Sequence, residues 1–333
     1  MGRRRAAVSD ATGTDATGTD ATGINATGIN KSHHNSTLRI GIDLGGTKTE
    51  GIVMDTDGHL LKRLRRPTPQ SAGYAAILDN IRSLVRELEQ AVGHRCTVGI
   101  GTPGALSTRS GGLKNSNTVC LNGQPLPTDL ARLLDRPVRL ANDANCFALS
   151  EALDGAAAGM PVVFGVILGT GVGGGIVVHG QLIEGLQHIA GEWGHNLLEA
   201  DGPECYCGRR GCVETLISGP GVMRDYAEHA GVHALDVPDI LARAAAGEAA
   251  AEAVLQRFFA RFGRALAMVI NILDPQVIVL GGGLSNLERL YTEGVAQVAR
   301  HVFNDELRTL ILQNRHGDSS GVRGAAQLWA AGE

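Results

Sequence analysis

The chain has 333 residues, a length that suits about two domains, and 43% of them are hydrophobic, which is enough for aliphatic cores of moderate size. Its 30 basic and 34 acidic residues leave a formal net charge of −4, and no basic run beyond residues 3–5 could contact a phosphate backbone, so nucleic acid is disfavoured as a partner. No apolar stretch reaches the roughly 18 to 20 residues of a membrane span, and the N-terminus lacks the apolar core of a signal peptide, so we expect a cytoplasmic protein with no membrane partner.

The first 36 residues differ from the rest of the chain in composition. They contain the five-residue repeat "ATGTDATGTDATGINATGIN", which is built from small and polar residues and has no apolar face to bury. We therefore predict a disordered tail over residues 1–36. A functional tail is the alternative to a passive extension.

A β-rich segment begins at Leu38. The runs "LRIGIDLGG", "TKTEGIVMD" and "HLLKRLRRP" predict three strands separated by glycine turns. Apolar residues at helical spacing then predict a helix from Tyr74 to Val92. The run "TVGIG" predicts a buried strand, and "PVRLAN" predicts another that leads into a helix over residues 143–159. This order predicts a three-strand meander that continues as β/α units.

An internal repeat links the two halves of the chain. The segment "GIDLGGTKTEGIVMD" from Gly41 aligns without a gap with "GVILGTGVGGGIVVH" from Gly165, which predicts two related lobes. Each copy has a glycine-rich turn whose amides can approach an oxyanion, because no Cβ obstructs them. We expect the paired turns to hold a polyphosphate, whereas either turn alone would be weak evidence, because glycine hairpins are common structural features. The turn residues are Gly45, Gly46, Thr47 and Lys48 in the first copy and Gly169, Thr170 and Gly171 in the second.

The two copies differ at one chemically important position, where Asp43 in the first corresponds to Ile167 in the second. A carboxylate beside only one phosphate turn indicates a Mg²⁺ partner there. Lys48 is a candidate to neutralise phosphate charge, with a solvated strand lysine as the equal alternative.

A third glycine cluster follows the buried run "VIVL". Gly281, Gly282 and Gly283 would let a flat ligand such as an adenosine lie against the backbone, and close packing explains the same glycines equally well. The sequence then predicts a helix from Asn286. The last segment predicts a helix capped by Ser319 or Ser320 that crosses back onto the first lobe.

Cysteine spacing indicates a metal site. His195, Cys205, Cys207 and Cys212 form an H-x9-C-x-C-x4-C pattern, the ligand set of a closed structural zinc site, with unpaired thiols in a surface loop as the alternative. Four protein ligands leave no position for an activated water, so we expect the zinc to organise the chain rather than to react. One ion would position both Glu192 and Glu214, because each lies close to a ligand in the sequence.

Asp143 is the candidate general base. It follows a predicted strand and opens a predicted helix, where a helix N-cap is the simpler interpretation. Beside paired phosphate turns, it becomes a candidate to take the proton of an attacking hydroxyl. Asn142 is then a candidate hydrogen-bond partner for a second hydroxyl.

Several of these motifs together resemble the ROK family of sugar kinases and sugar-responsive repressors, over about residues 38–330. They are "GIDLGGTKTE", "GTPG", "LANDANC", "GTGVGGGIV", "GEWGH", "CYCGRRGCVE" and "ILDPQVIVLGGG". With "KNSN", "NGQPL" and "HGDSSGVRGAA", the sequence looks most similar to bacterial fructokinases of the mannofructokinase type.

The resemblance implies an α/β protein with the duplicated actin-like (ribonuclease H-like) ATPase fold. Its lobes would span residues 38–158 and 159–318, with a zinc knuckle at 195–212 and the C-terminal helix, 319–333, packed back on the first lobe. It also implies that Asp143 is the catalytic base. The sugar hydroxyls would be held by Asn117, Asn142, Glu192, His195 and Glu214. Many members have Trp where this chain has Cys120.

The implied activity is MgATP-dependent phosphorylation of the 6-hydroxyl of D-fructose, and also of mannose. Glucokinase and N-acetylglucosamine kinase are the alternatives within the family. A sugar-sensing repressor is a remote alternative, because it needs a helix-turn-helix ahead of the first hairpin and the repeat tail cannot form one. A homodimer is left open.

Overall fold

The computed structural model describes residues 37–231 and 235–333. The predicted tail, residues 1–36, lies outside the described residues. The strands are β1 (Arg39–Leu44), β2 (Lys48–Met54), β3 (Leu60–Pro67), β4 (Thr97–Thr102), β5 (Ala105–Leu106), β6 (Leu113–Lys114), β7 (Val138–Asn142), β8 (Val162–Leu168), β9 (Val172–Val178), β10 (Gln181–Leu182), β11 (Val277–Gly281) and β12 (Leu310–Gln313).

The α-helices lie mostly after the strands that they cover. They are α1 (Tyr74–Val92), α2 (Leu126–Leu134), α3 (Asp143–Leu153), α4 (Val213–Ile217), α5 (Gly219–Ala230), α6 (Val237–Ala245), α7 (Ala249–Leu273), α8 (Glu293–His301) and α9 (Ser320–Gln327). The helix predicted from Tyr74 to Val92 is confirmed as α1, whose apolar positions at helical spacing are buried against the first sheet. Among the described residues, none of the helices is both long and apolar enough to cross a membrane.

The first sheet has the strand order β3-β2-β1-β4-β7. The strands β1, β2 and β3 pair antiparallel, as the predicted meander requires, and β4 and β7 extend the sheet in parallel. Strand β1 is buried on both faces, since Ile40, Ile42 and Leu44 pack with residues of α1 on one side and Gly41 meets α9 on the other. The carboxyl ends of β1, β4 and β7 therefore lie at one edge, where parallel α/β sheets place their ligand sites.

The second sheet repeats this plan with the order β10-β9-β8-β11-β12. Its hairpin β8-β9 corresponds to β1-β2, and the parallel pairs β8-β11 and β11-β12 correspond to β1-β4 and β4-β7. The repeat found in the sequence is thus matched by two sheets of equal strand order. The long helix α7 packs its phenylalanines against this second sheet.

Helix α9 packs backbone to backbone on the first sheet, as predicted for the C-terminal segment. A Cβ placed on Gly41 would lie 2.0 Å from the Val322 carbonyl oxygen, and one on Gly99 would lie 1.8 Å from the Ala325 carbonyl oxygen. Side chains at these two glycines would force α9 off the sheet.

Helix α3 contacts α9 and ends earlier than predicted, at Leu153 instead of residue 159. The buried Glu151 carboxylate accepts hydrogen bonds from the Ala156 amide at 2.8 Å and from the Ser320 hydroxyl at 2.8 Å. These bonds stabilise the turn that ends α3 and connect it to the start of α9, because a buried carboxylate without donors would be costly.

The prediction of a helix that begins at Asn286 was wrong. The chain forms two 3-10 turns, Gly283–Asn286 and Glu288–Tyr291, and α8 begins only at Glu293. The Tyr291 hydroxyl donates to the Ser285 carbonyl at 2.8 Å and stabilises this tighter path.

Candidate active site

Asp43 lies near the end of β1, opposite Glu50 of β2 and Gly101 of β4. Burial, and then the negative charges of Asp143 and Glu50, raise the pKa of Asp43 to about 6. The Lys48 ammonium opposes this shift, so it lies close enough to act on the same carboxylate. Crowded carboxylates of this kind are stabilised by a divalent cation, and Asp43 therefore fits the Mg²⁺ role predicted for it.

Glu50 was missed by the sequence analysis. Its carboxylate is 1% exposed, and it forms ion pairs with Arg63 at 2.6 Å and with Arg65. Alternation along β3 could have indicated the arginines, but their shared partner is visible only once β2 and β3 are paired.

Asn142 and Asp143 stand where β7 ends and α3 begins. The N-cap of α3 is Asn142, and the interpretation of Asp143 as the cap was wrong. The Asn142 side chain accepts from the Ala144 amide at 2.9 Å and donates to the Gly104 carbonyl at 3.1 Å. Capping and the contact with the "GTPG" turn thus hold Asn142 beside the proposed base.

Asp143 is the first residue of α3, and its Oδ1 also accepts from the Ala144 amide at 2.8 Å. The residue is half-buried, and burial raises the pKa of its carboxyl even though two backbone amides oppose the shift. A raised pKa brings a carboxylate nearer to the range in which it accepts a proton effectively at neutral pH. The direction of this pKa shift is compatible with the general-base role predicted for Asp143, and the role itself remains a prediction.

The two predicted phosphate turns are tight hairpin turns. The Gly45 amide donates to the Lys48 carbonyl at 3.0 Å, and the Gly169 amide donates to the Gly171 carbonyl at 2.9 Å. Gly46 and Thr47 complete the first turn, and Thr170, which is exposed, lies at the tip of the second. The Gly219 amide at the start of α5 donates to the Gly169 carbonyl at 2.8 Å, which positions the second turn beside a helix N-terminus.

Glu214 of α4 contacts the second turn directly. Its Oε2 accepts from the Val172 amide at 2.9 Å, and a Cβ on Gly171 would lie 2.7 Å from the same oxygen. Glu214, which is predicted to bind sugar, therefore also stabilises the second predicted phosphate turn.

Glu192 stands at the N-cap position of the 3-10 turn Trp193–His195, without a capping hydrogen bond from its side chain. The buried Trp193 anchors this turn, because its indole donates to the Gly173 carbonyl at 3.1 Å and packs edge-on against Phe164. Burial raises the pKa of Glu192, and the charge of His195 opposes the shift while that of Asp143 adds to it. The Glu192 carboxylate thus lies in the field of both Asp143 and the histidine.

Lys114 was also missed by the sequence analysis. Its ammonium donates to the Gln187 carbonyl at 3.2 Å, and its positive charge opposes the rise in the pKa of Glu192. It joins the first half of the chain to the loop before Glu192. A single lysine in a two-residue strand carries no sequence signal for this role.

The histidine and three cysteines of the predicted zinc site come together, and their ligand atoms all lie within 4.8 Å of one another. The His195 Nδ1 is 3.5 Å from the Cys205 sulfur, and the Cys207 and Cys212 sulfurs are 3.6 Å apart. Zinc bond lengths of about 2.3 Å to sulfur and 2.0–2.1 Å to nitrogen give tetrahedral edges of about 3.5–3.8 Å. The donor set therefore fits a zinc ion.

The other nitrogen of this histidine faces Tyr206, which the sequence analysis did not consider. The His195 Nε2 and the Tyr206 hydroxyl are 2.9 Å apart, and the two rings meet edge-on with centroids 5.1 Å apart. Although the residue as a whole is 75% exposed, desolvation of its hydroxyl end, and then the charges of Glu214 and Glu192, raise the pKa of Tyr206.

An ionic network supports the chain segment that carries the cysteines. Glu199 pairs with Arg261 at 3.1 Å and with Arg264, and Arg261 also pairs with Asp225 at 2.7 Å. This network ties the segment to α7 and α5.

Packing accounts for part of the third glycine cluster. A Cβ on Gly281 would lie 2.4 Å from the Phe147 ring, and one on Gly282 would lie 2.4 Å from the Leu168 carbonyl oxygen. Gly283 differs, since among the described residues a Cβ there would meet open space. Of the three, Gly283 is the one with open space beside its backbone, and an adenosine contact there remains a prediction.

Asn117 is exposed in the loop after β6. The neighbouring Asn122 organises this loop, because its side chain accepts from the Ser116 amide at 2.9 Å and donates to the Ser116 carbonyl at 2.9 Å. Cys120 is half-buried in the same loop. The structure therefore shows how the loop is held, and a sugar contact of Asn117 remains a prediction.

Comparison with known proteins gives consistent matches over the described part of the chain. The ROK family model matches residues 39–331. An N-acetyl-D-glucosamine kinase of Yersinia pseudotuberculosis is 43% identical in an alignment of length 301, and the match covers 87% of this chain and 98% of the relative.

Two solved structures are similar as well. A ROK hexokinase from Thermus thermophilus is 33% identical with a TM-score of 0.80, covering 87% of this chain and 97% of its own. A ROK family glucokinase from Streptomyces griseus, in complex with glucose and AMPPNP, is 28% identical with a TM-score of 0.74, covering 87% of this chain and 98% of its own.

The two sheets of equal strand order and the crossing helices α3 and α9 define an α/β protein with the actin-like ATPase fold. The chain belongs to the ROK family, and within that family it is an ATP-dependent sugar kinase.

Proposed function

We propose that the chain transfers the γ-phosphoryl group of ATP to the 6-hydroxyl of N-acetyl-D-glucosamine. The observation that carries this choice of sugar is the 43% identity to an N-acetyl-D-glucosamine kinase over 98% of that relative. This identity favours N-acetyl-D-glucosamine, one of the alternatives left open by the sequence, over fructose. The hexokinase and glucokinase neighbours keep glucose as the second candidate.

Asp143 acts as the general base in this proposal. Its carboxylate accepts the proton of the 6-hydroxyl as the hydroxyl oxygen bonds to the γ-phosphorus, and the bond to the bridging oxygen of ADP breaks. The raised pKa of Asp143 suits this role, because it makes the carboxylate a stronger acceptor for the hydroxyl proton.

The sugar is oriented by side chains around Asp143. Glu192 and Glu214 supply acceptors, His195 supplies an imidazole nitrogen, and Asn142 is held beside the base by its cap and by Gly104. Asn117 is assigned to the rim of the same site. Such a set discriminates by hydroxyl pattern, since a missing hydroxyl leaves a buried polar group unpaired.

The nucleotide is assigned to the two glycine turns and Gly283. Amides of Gly45 to Lys48 and Gly169 to Gly171 would hold its phosphates, with Asp43 as the carboxylate that holds Mg²⁺. When bound, Mg²⁺ neutralises charge on the phosphates. The two lobes proposed from the repeat would close around both substrates and exclude water.

A structural zinc ion is assigned to His195, Cys205, Cys207 and Cys212. It would hold the segment between Glu192 and Glu214 in one conformation, because one ion joins residues from both ends of it. A homodimer remains a proposal, and none of the residue assignments above depends on it.

The sugar is identified by a coupled ADP-release assay with N-acetyl-D-glucosamine, glucose, mannose and fructose. We expect the highest kcat/KM with N-acetyl-D-glucosamine. A higher value with fructose would restore the fructokinase interpretation of the sequence.

The base is tested with Asp143→Asn, which keeps the shape of the side chain and removes the base. We expect kcat to fall at least about a hundredfold, the low end for general base catalysis, while the sugar Kd measured by calorimetry without nucleotide changes little. Asp79→Asn on α1, a largely exposed carboxylate, is the matched control and should be unchanged. Near-normal kcat in Asp143→Asn would show that Asp143 is not the base.

A further inference from the structure

The two nitrogens of His195 face different partners. Nδ1 points to the cysteine cluster, 3.5 Å from the Cys205 sulfur, and Nε2 lies 2.9 Å from the Tyr206 hydroxyl. A metal ion on Nδ1 requires an unprotonated nitrogen there, so the ring proton is on Nε2. Nε2–H is then a donor, and the Tyr206 oxygen is its acceptor.

The hydroxyl of Tyr206 lies among groups assigned to the sugar. Besides its bond to His195, the negative charges of Glu214 and Glu192 act on it. An oxygen that accepts from this imidazole and lies beside these carboxylates occupies the place of a sugar hydroxyl.

The ring of Tyr206 is weakly held. The residue is 75% exposed, and its aromatic contact in the described structure is the edge-on meeting with His195. A side chain attached mainly through its hydroxyl can rotate away without loss of core packing. The phenol is thus a replaceable occupant of the site.

We propose that Tyr206 is a specificity-determining residue whose hydroxyl occupies the sugar-facing donor of His195 until a substrate hydroxyl displaces it. The proposal rests on the proposed function, which assigns His195, Glu192 and Glu214 to the sugar. A sugar with a hydroxyl that reaches Nε2 replaces one hydrogen bond by another. A sugar without it leaves Tyr206 in place, so Tyr206 lowers the affinity only of sugars whose hydroxyl reaches Nε2 and narrows the difference between the two kinds of sugar.

The test is Tyr206→Phe, which removes the competing oxygen and keeps the ring. Sugar Kd is measured by calorimetry without nucleotide, using whichever of the four sugars the wild-type protein binds best. We expect the Kd to decrease about three- to tenfold, in line with the net value of one hydrogen bond. A gain in affinity cannot result from damage to the fold, which would weaken binding.

Analogues of the same sugar locate the effect. If the Tyr206 hydroxyl competes for His195, the gain in sugar affinity of Tyr206→Phe should disappear for the one deoxy analogue that lacks the hydroxyl bound by Nε2. The gain should persist for the other deoxy analogues. An equal gain for every deoxy analogue would contradict the proposal.

Two controls complete the design. Tyr74→Phe removes a hydroxyl that bonds to Asp129 and should leave the sugar Kd unchanged. Zinc content measured by mass spectrometry should be equal in wild type and Tyr206→Phe, because the phenol is not a ligand.

An unchanged or increased Kd in Tyr206→Phe would overturn the proposal, and an increase would mean that the hydroxyl binds the sugar instead of competing with it. Failure of the proposed function looks different. It would appear in the wild-type protein, as absence of sugar binding or of phosphoryl transfer, before any variant is compared.

Discussion

The Glu214 carboxylate accepts a hydrogen bond from the Val172 amide at 2.9 Å, and this contact joins α4 to the turn between β8 and β9. Gly171 makes the approach possible, since a side chain there would collide with the Glu214 oxygen. The sugar and nucleotide sites proposed for this protein would therefore share one side chain, and substitutions at Glu214 should separate its two contacts.

We expect Glu214→Gln to raise the sugar KM about tenfold or more and to reduce kcat much less. The glutamine carbonyl can still accept from Val172, but its amide group replaces the carboxylate oxygen assigned to a sugar hydroxyl, and bonds to charged groups contribute about 1.5–3 kcal/mol. Steady-state kinetics with sugar and ATP varied separately measure the effect.

Glu214→Ala should in addition raise the KM for ATP, because it leaves the Val172 amide without its acceptor and loosens the second turn. Glu228→Gln, on the exposed side of α5, is the matched control. If Glu214→Gln lowered kcat as strongly as Asp143→Asn while leaving the sugar KM unchanged, Glu214 would belong to the chemical step.

Asp43→Asn should stabilise the protein without ligands at pH 8 while abolishing most activity. The pKa of Asp43 is raised to about 6 in the folded chain from an ordinary value of 3.8, so its ionised form opposes folding. This cost is fully present above pH 6 and disappears as the pH falls from about 6 to 4, where the folded protein takes up the proton. The expected gain is about 1–3 kcal/mol at pH 8 and close to zero at pH 4.

Thermal melts of both proteins across this pH range measure the difference. Glu89→Gln is a control of opposite sign, because hydrogen bonds from Arg136 outweigh burial and hold the pKa of Glu89 below its usual value. That variant should lose stability at pH 8, and the loss should vanish as the pH falls below the folded pKa. A lower melting temperature for Asp43→Asn at pH 8 would contradict the crowding of carboxylates described for this site.

Purified protein should contain one zinc per chain, and Cys207→Ser should lose it. Removal of one of four ligands weakens the metal site, so the segment that carries Glu192 and Glu214 should become mobile and the sugar KM should rise. Mass spectrometry for zinc and limited proteolysis between residues 195 and 212 measure the two effects.

Cys120→Ser is the matched control, since Cys120 lies outside the four-residue cluster. It should retain the full zinc content. Wild-type protein without zinc, after purification in the absence of chelators, would count against the assignment.

Local pattern was sufficient for much of the fold. The gap-free repeat between Gly41 and Gly165 already implied two sheets of one design, since equal strand-turn-strand segments impose equal pairing. The spacing of the histidine and three cysteines likewise predicted a cluster that the chain forms. Both are properties of short segments, which the sequence expresses directly.

Tertiary structure decided the contacts between segments that are distant along the chain. The pairing of Glu50 with Arg63, the bridge from Lys114 to the Gln187 carbonyl and the bond between Glu214 and Val172 depend on strand register and helix placement. None of these follows from periodicity, because each requires two elements to be placed first.

Tertiary structure also decided which residue caps α3 and where the Tyr206 hydroxyl lies. Asn142 instead of Asp143 caps α3, because the backbone of Asn142 is still extended while its side-chain carbonyl reaches the Ala144 amide, whereas Asp143 is already helical. In the sequence, Tyr206 is marked only by its place between two cysteines. Only the folding of both cysteines around one point brings its hydroxyl within 2.9 Å of His195, since the direction of a side chain is set by the backbone that holds it.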